Sequence, residues 1–144
     1  VDALINILIV DDSADDVEFT LVALQNTKVA NAINVVTDGV EAMQYLRQEG
    51  QYVGAQRPSL VLLDLNMPRK NGREVLAEMK EDKDLRHIPV VILTTSQAEE
   101  DIVRSYDLHA NCYISKPVDL EALAKIVHSI DDFWFGVVKL PPVR

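Results

Sequence analysis

The chain has 144 residues, 48% of them apolar, and a formal charge of −9 from 23 acidic and 14 basic side chains, which suits one globular domain with a sizeable core and excludes a disordered segment. The acidic balance and scattered lysines and arginines argue against nucleic-acid binding, which needs a basic surface. No apolar run approaches a membrane span, no basic stretch leads into the first run as in a secretion signal, and the single cysteine, Cys112, fits a reducing, cytoplasmic location.

Residues 4–10 are rich in Ile, Leu and Val without strict alternation, the pattern of a strand covered on both faces. Ser13 and Asp15 are alternative helix N-caps, Asp15 having Glu18 at capping-box spacing, and Val17, Leu21 and Leu24 then repeat at helical spacing. Residues 33–36 form a short strand, Asp38-Gly39 reads as a turn, and Val40, Met43 and Leu46 set the face of a second helix. Residues 48–58 form the longest polar connection. Residues 60–65 are the second strongly apolar strand. Asn66-Met67-Pro68 and Asn71-Gly72 read as loop, and Val75, Leu76 and Met79 as a third helical stripe. Pro89 opens a strand over 90–93, and Ser96 with Glu99 caps a helix through Ile102, Val103 and Tyr106. A short strand over 112–114 precedes Asp119, an N-cap with Val118 and Leu123 as a hydrophobic staple, and a last stripe runs through Leu123, Ile126, Val127, Ile130 and Trp134. Five strands alternating with five helices are the signature of a three-layer α/β domain with right-handed crossovers.

Each major apolar run delivers a polar group at its C-terminal end: Asp11 and Asp12, Asp64, Thr94-Thr95-Ser96, and Lys116. In a parallel sheet those ends share one edge, where ligands of open α/β sheets bind. Three carboxylates there repel one another unless a cation neutralises them, and oxygen ligands without histidine or thiolate favour magnesium, or manganese, over zinc. A carboxylate can also attack phosphorus to give an aspartyl phosphate, with the metal, the Thr94 hydroxyl and Lys116 supplying countercharge. An Asp-Asp pair alone is usually a loop former; here it is joined by three further groups, each after a separate apolar run.

The segments Ile9-Val10-Asp11-Asp12-Ser13, Leu62-Leu63-Asp64-Leu65-Asn66-Met67-Pro68, Asn71-Gly72, Thr94-Thr95 and Tyr113-Ile114-Ser115-Lys116-Pro117 give the chain its resemblance to the receiver domain of two-component response regulators. The resemblance covers essentially the whole chain. It implies a doubly wound (βα)5 flavodoxin-like fold with a five-stranded parallel sheet of order 2-1-3-4-5, as a single domain over residues 1–144 with a C-terminal extension after about residue 136. It further implies that Asp64 is the phosphoacceptor, that Asp11, Asp12, Asp64 and the backbone carbonyl of Asn66 hold the magnesium, and that Lys116 contacts the acyl phosphate. Thr94 is then the switch hydroxyl, Tyr113 the switch aromatic, and the Lys116-Pro117 bond cis. The phosphoryl donor would be a sensor histidine kinase. The stretch 71–78, the segment Asn111-Cys112-Tyr113 and the ending Asp132-Phe133-Trp134-Phe135 through Leu140-Pro141 look like the small regulators paired with cyanobacterial phytochrome kinases, which implies a light-linked pathway and a homodimer. Thr95 stands where many receivers have alanine.

Plainer readings apply elsewhere. His87, His109 and His128 make no metal set, Cys112 reads as a small hydrophobe, and Met67 and Pro68 shape a loop. Phe133, Trp134 and Phe135 are consecutive and on a helix would fan across roughly 200°, more than one domain face can bury. A homodimer contact is the expectation, with a tail folded over its own domain as the alternative. The chain ends soon after its last helix, so signalling by protein contact is expected, without an attached output domain and without turnover of an external substrate. Other readings are a phosphate sink, a pseudo-receiver scaffold, or a haloacid-dehalogenase-like phosphatase. The last wants Asp-x-Asp after the first strand, where this chain has Asp11-Asp12.

Overall fold

The Ile-, Leu- and Val-rich runs become five strands: β1 (Ile5–Val10), β2 (Asn31–Val36), β3 (Leu60–Asp64), β4 (Val90–Thr94) and β5 (Cys112–Ser115). The computed structural model describes residues 5–25, 27, 31–65, 67, 69–94, 112–116 and 120–131. Four α-helices lie among these, α1 (Ala14–Gln25), α2 (Gly39–Leu46), α3 (Gly72–Glu81) and α4 (Leu120–Asp131). The helix expected after Ser96, the Asp119 cap, Pro117 and the aromatic tail lie outside the described residues.

All strand pairs are parallel and the order is β2-β1-β3-β4-β5, as the resemblance implied. Alternate residues feed opposite faces of the sheet. Leu8, Val10, Leu63 and Ile92 pack with Met43, Leu46, Leu76 and Met79 of α2 and α3. Ile7, Ile9, Leu62 and Leu93 pack with Ala23 and Leu24 of α1 and with Leu123 and Val127 of α4. Both faces are thus covered, which is why β1 and β3 carry no polar alternation.

Two dipeptides that read as turn and loop are helix starts instead. Asp38 is the N-cap of α2, its Oδ1 accepting from the Glu41 N–H at 2.8 Å. Burial works against the Asp38 charge, but the Glu41 amide and the Arg69 guanidinium (Nε at 3.0 Å) outweigh it and hold the carboxyl below its ordinary value. Asn71 caps α3 in a full capping box with Glu74. For α1 the structure decides between the two candidate caps: Ser13 precedes the helix and its Oγ accepts from the Asp16 N–H at 3.3 Å, so Asp15 falls in the first turn.

The glycines after these caps are set by close approach. A Cβ on Gly39 would overlap the Lys70 carbonyl oxygen, to which the Gly39 N–H donates at 3.1 Å. A Cβ on Gly72 would overlap the Asp64 carbonyl oxygen and lie 2.8 Å from Leu65 Cα. Backbone cannot rotate away as a side chain can, so Gly72→Ala is expected to destabilise by about 1–3 kcal/mol despite alanine's better helix propensity. Urea unfolding checks this, and a variant as stable as the wild type would show that α3 shifts freely.

The polar connection 48–58 is more ordered than its composition suggests. It holds a short 3-10 turn (Gly50–Tyr52), and Tyr52 packs edge-on against Tyr45 at 5.1 Å while donating to Glu41 Oε2 at 2.5 Å. Burial and the Glu41 charge push the Tyr52 phenol up to about 12.

Candidate functional site

Each site residue arrives at the edge as the chain leaves a strand. Asp11 follows β1 and is fully buried; its N–H donates to the Val36 carbonyl at 3.1 Å and its Oδ1 accepts from the Ser13 N–H at 3.0 Å. Asp12, next along, is exposed. Asp64 is the last residue of β3 and 3% exposed. Lys116 follows β5, and its long side chain crosses the strand ends to reach the acids. Its ammonium lies 3.1 Å from Asp11 Oδ2, 3.2 Å from Asp64 Oδ1 and 3.0 Å from Asp16 Oδ2. The contact to Asp16 is a hydrogen bond, and the ammonium stands at ion-pair distance from the two buried carboxylate oxygens. Burial lowers the lysine's affinity for its proton, but Asp16, Asp11 and Asp64 together win and hold it well above its ordinary value.

The donor set fits a hard divalent cation. One carboxylate oxygen from each of Asp11, Asp12 and Asp64 lies within 4.8 Å of the others. Two oxygens on opposite sides of such an ion, each at ~2.1 Å, stand about 4.2 Å apart, so a small contraction closes the set. Three carboxylates face one ammonium and Asp12 lies beside two of them, an excess of negative charge that a cation would relieve.

Of the other expected residues, Thr94 ends β4 one register position beyond the Asp64–Leu93 pair. Tyr113 lies in β5, partly buried against the core cluster on the α2–α3 side. Asn66, Phe133, Trp134 and Phe135 lie outside the described residues. Met67 is half-buried against the core, in keeping with a loop-shaping role. The site residue to which sequence reasoning assigned no role is Asp16. Its position two residues into α1, just past the β1 edge, was the available signal.

Residues 7–128 match the family model of the response regulator receiver domain. The chain belongs to that family. It is 47% identical over 135 residues to response regulator Rcp1 of Synechocystis sp., covering 94% of this chain and 92% of that protein. Among solved structures it is similar to the phosphorylated cyanobacterial phytochrome response regulator RcpA (52% identity, TM-score 0.77, covering 96% of this chain and 99% of that one). It is also similar to a manganese-bound form of Rcp1 (46% identity, TM-score 0.74, 94% and 98% covered). As a receiver domain the chain works in two-component signalling, with a histidine kinase as phosphodonor partner. Among the described residues no helix is long and apolar enough to cross a membrane.

Proposed function

We propose that this receiver takes a phosphoryl group on Asp64 from a phytochrome-type histidine kinase and signals, in the cytoplasm, through the conformational change that follows. One observation carries the reading: a buried carboxylate at the end of the central strand lies 3.2 Å from a lysine ammonium that also faces Asp11. An Asp64 oxygen forms a bond to phosphorus as the P–N bond of the kinase phosphohistidine breaks, and the leaving imidazole keeps the electron pair and takes up a proton. Lys116 moves its charge from the acids to the phosphoryl oxygens. Asp11, Asp12 and Asp64, with the Asn66 carbonyl, would hold magnesium, which supplies further countercharge to those oxygens. The switch then passes through the Thr94 hydroxyl and the Tyr113 ring, a population shift that phosphate drives only by its differential affinity for the two states.

The test is phosphoryl uptake from a small acyl phosphate and from a phosphorylated phytochrome kinase, with and without chelator. Uptake should require a divalent cation, and Asp12→Asn should weaken magnesium binding more than Asp11→Asn. Equal rates in excess chelator would remove the metal from the mechanism.

The Phe133-Trp134-Phe135 cluster, more apolar surface than one domain face can bury, supports a homodimer of a chain that is a single receiver domain with a C-terminal extension after about residue 136. Sedimentation should show a dimer that Trp134→Ala weakens. A monomer at every concentration, with or without an acyl-phosphate mimic, would end this part of the reading.

A further inference from the structure

Asp16 accepts a hydrogen bond from the Lys116 ammonium at 3.0 Å, across 100 residues of chain. It sits in the first turn of α1, where its backbone N–H is already taken by Ser13 Oγ, so its side chain is not needed for capping. The three acids around the ammonium differ in one respect. Asp11 and Asp64 are buried, 0% and 4% exposed at the side chain, whereas Asp16 is 41% exposed. A buried carboxylate that loses its cation has no water to replace it; a half-exposed one rehydrates at little cost.

We infer that Asp16 is a positioning residue, a releasable tether that holds the Lys116 ammonium at the α1 side of the pocket until a phosphoryl group arrives on Asp64. The inference rests on the reading that Lys116 contacts that group. To reach it the ammonium must give up an acid, and the half-exposed Asp16 is the contact whose loss water can offset. While it is made, it competes with the phosphoryl oxygens for the same donor and adds a negative charge beside an incoming anion. Asp16 therefore slows uptake and loosens the phosphorylated state, without touching the reacting atoms.

The experiment compares wild type, Asp16→Asn and Asp16→Glu as full chains. Phosphorylation by acetyl phosphate and affinity for beryllofluoride with magnesium should both rise about two- to fivefold in Asp16→Asn, the range of a partly exposed ion pair. Asp16→Glu, which keeps the charge, should stay near wild type. The Lys116 ammonium nitrogen supplies a readout that a merely structural role would not move. Its NMR signal without beryllofluoride should shift in Asp16→Asn, whereas the beryllofluoride-bound signals of the two proteins should coincide. Thermal unfolding verifies that the variants fold. An unchanged Lys116 signal in Asp16→Asn, or uptake equal to or slower than wild type, overturns the tether. If wild type itself takes neither phosphoryl nor beryllofluoride, it is the acceptor reading that fails.

Discussion

Asp64→Ala is expected to take up no phosphoryl group, from a phosphorylated kinase or from a small acyl phosphate. Asp64 is a buried carboxylate at the end of the central strand, 3.2 Å from the ammonium that would steady the product. Asp11, the other buried acid, is committed through Oδ1 to the Ser13 N–H and through its own N–H to Val36, and Asp12 is exposed. Neither is placed to replace it. The same change bears on stability in the opposite sense. Asp11, Asp16 and Asp64 share one ammonium and Asp12 lies beside two of them, so the milder Asp64→Asn should remove repulsion and stabilise the metal-free protein by about 1 kcal/mol, a gain bought at the cost of function. Mass spectrometry of the labelled protein and chemical unfolding without metal are the measurements. Undiminished labelling of Asp64→Ala at another aspartate would sink the acceptor assignment; a metal-free Asp64→Asn less stable than wild type would sink the repulsion argument.

The second large effect is expected at Lys116. Its side chain is 10% exposed and faces Asp11 and Asp64, both shielded from water. Lys116→Met keeps the length of the side chain but leaves two buried carboxylates facing each other, which should cost about 3–5 kcal/mol without metal. A divalent cation should restore much of that loss, because it supplies the missing positive charge. Phosphoryl uptake should fall about 100-fold or more, the usual result of removing a group that steadies developing charge. The pH dependence has a definite sign. The three acids raise the lysine above its ordinary 10.5, so its contribution is fully present below that pH and is lost only as pH rises through the raised value. Wild type and variant should therefore converge in stability only in strongly alkaline solution. A Lys116→Met protein as stable as wild type near neutrality, and indifferent to added cation, would mean that the pocket does not depend on this ion pair.

Much of this was legible in the chain. The apolar runs 4–10 and 60–65, each interrupted by one polar residue, supply β1 (Ile5–Val10) and β3 (Leu60–Asp64), covered on both faces, and the stripes Val75, Leu76, Met79 and Leu123, Val127 became buried helix faces. Asp38-Gly39 and Asn71-Gly72 were misread as turn and loop because Asx-Gly pairs serve turns and helix starts with the same side-chain oxygen. Only the neighbouring backbone tells the two apart, through the Lys70 carbonyl against Gly39 and the Asp64 carbonyl against Gly72.

Sequence alone was enough for the fold class, the register of polar groups at the strand ends and the chemistry of an acidic pocket with one lysine. These follow from local periodicity and from the identity of the residue that closes each strand, both written along one dimension. Tertiary structure decided that Asp16 rather than Asp15 faces Lys116, that the ammonium is shared among three acids, and that two glycines bring helix starts onto neighbouring loops and strand ends. Those contacts join residues far apart in the chain. They depend on strand order, sheet twist and the seating of α1 against the β1 edge, and each is settled by packing of the whole core rather than by any short stretch of sequence.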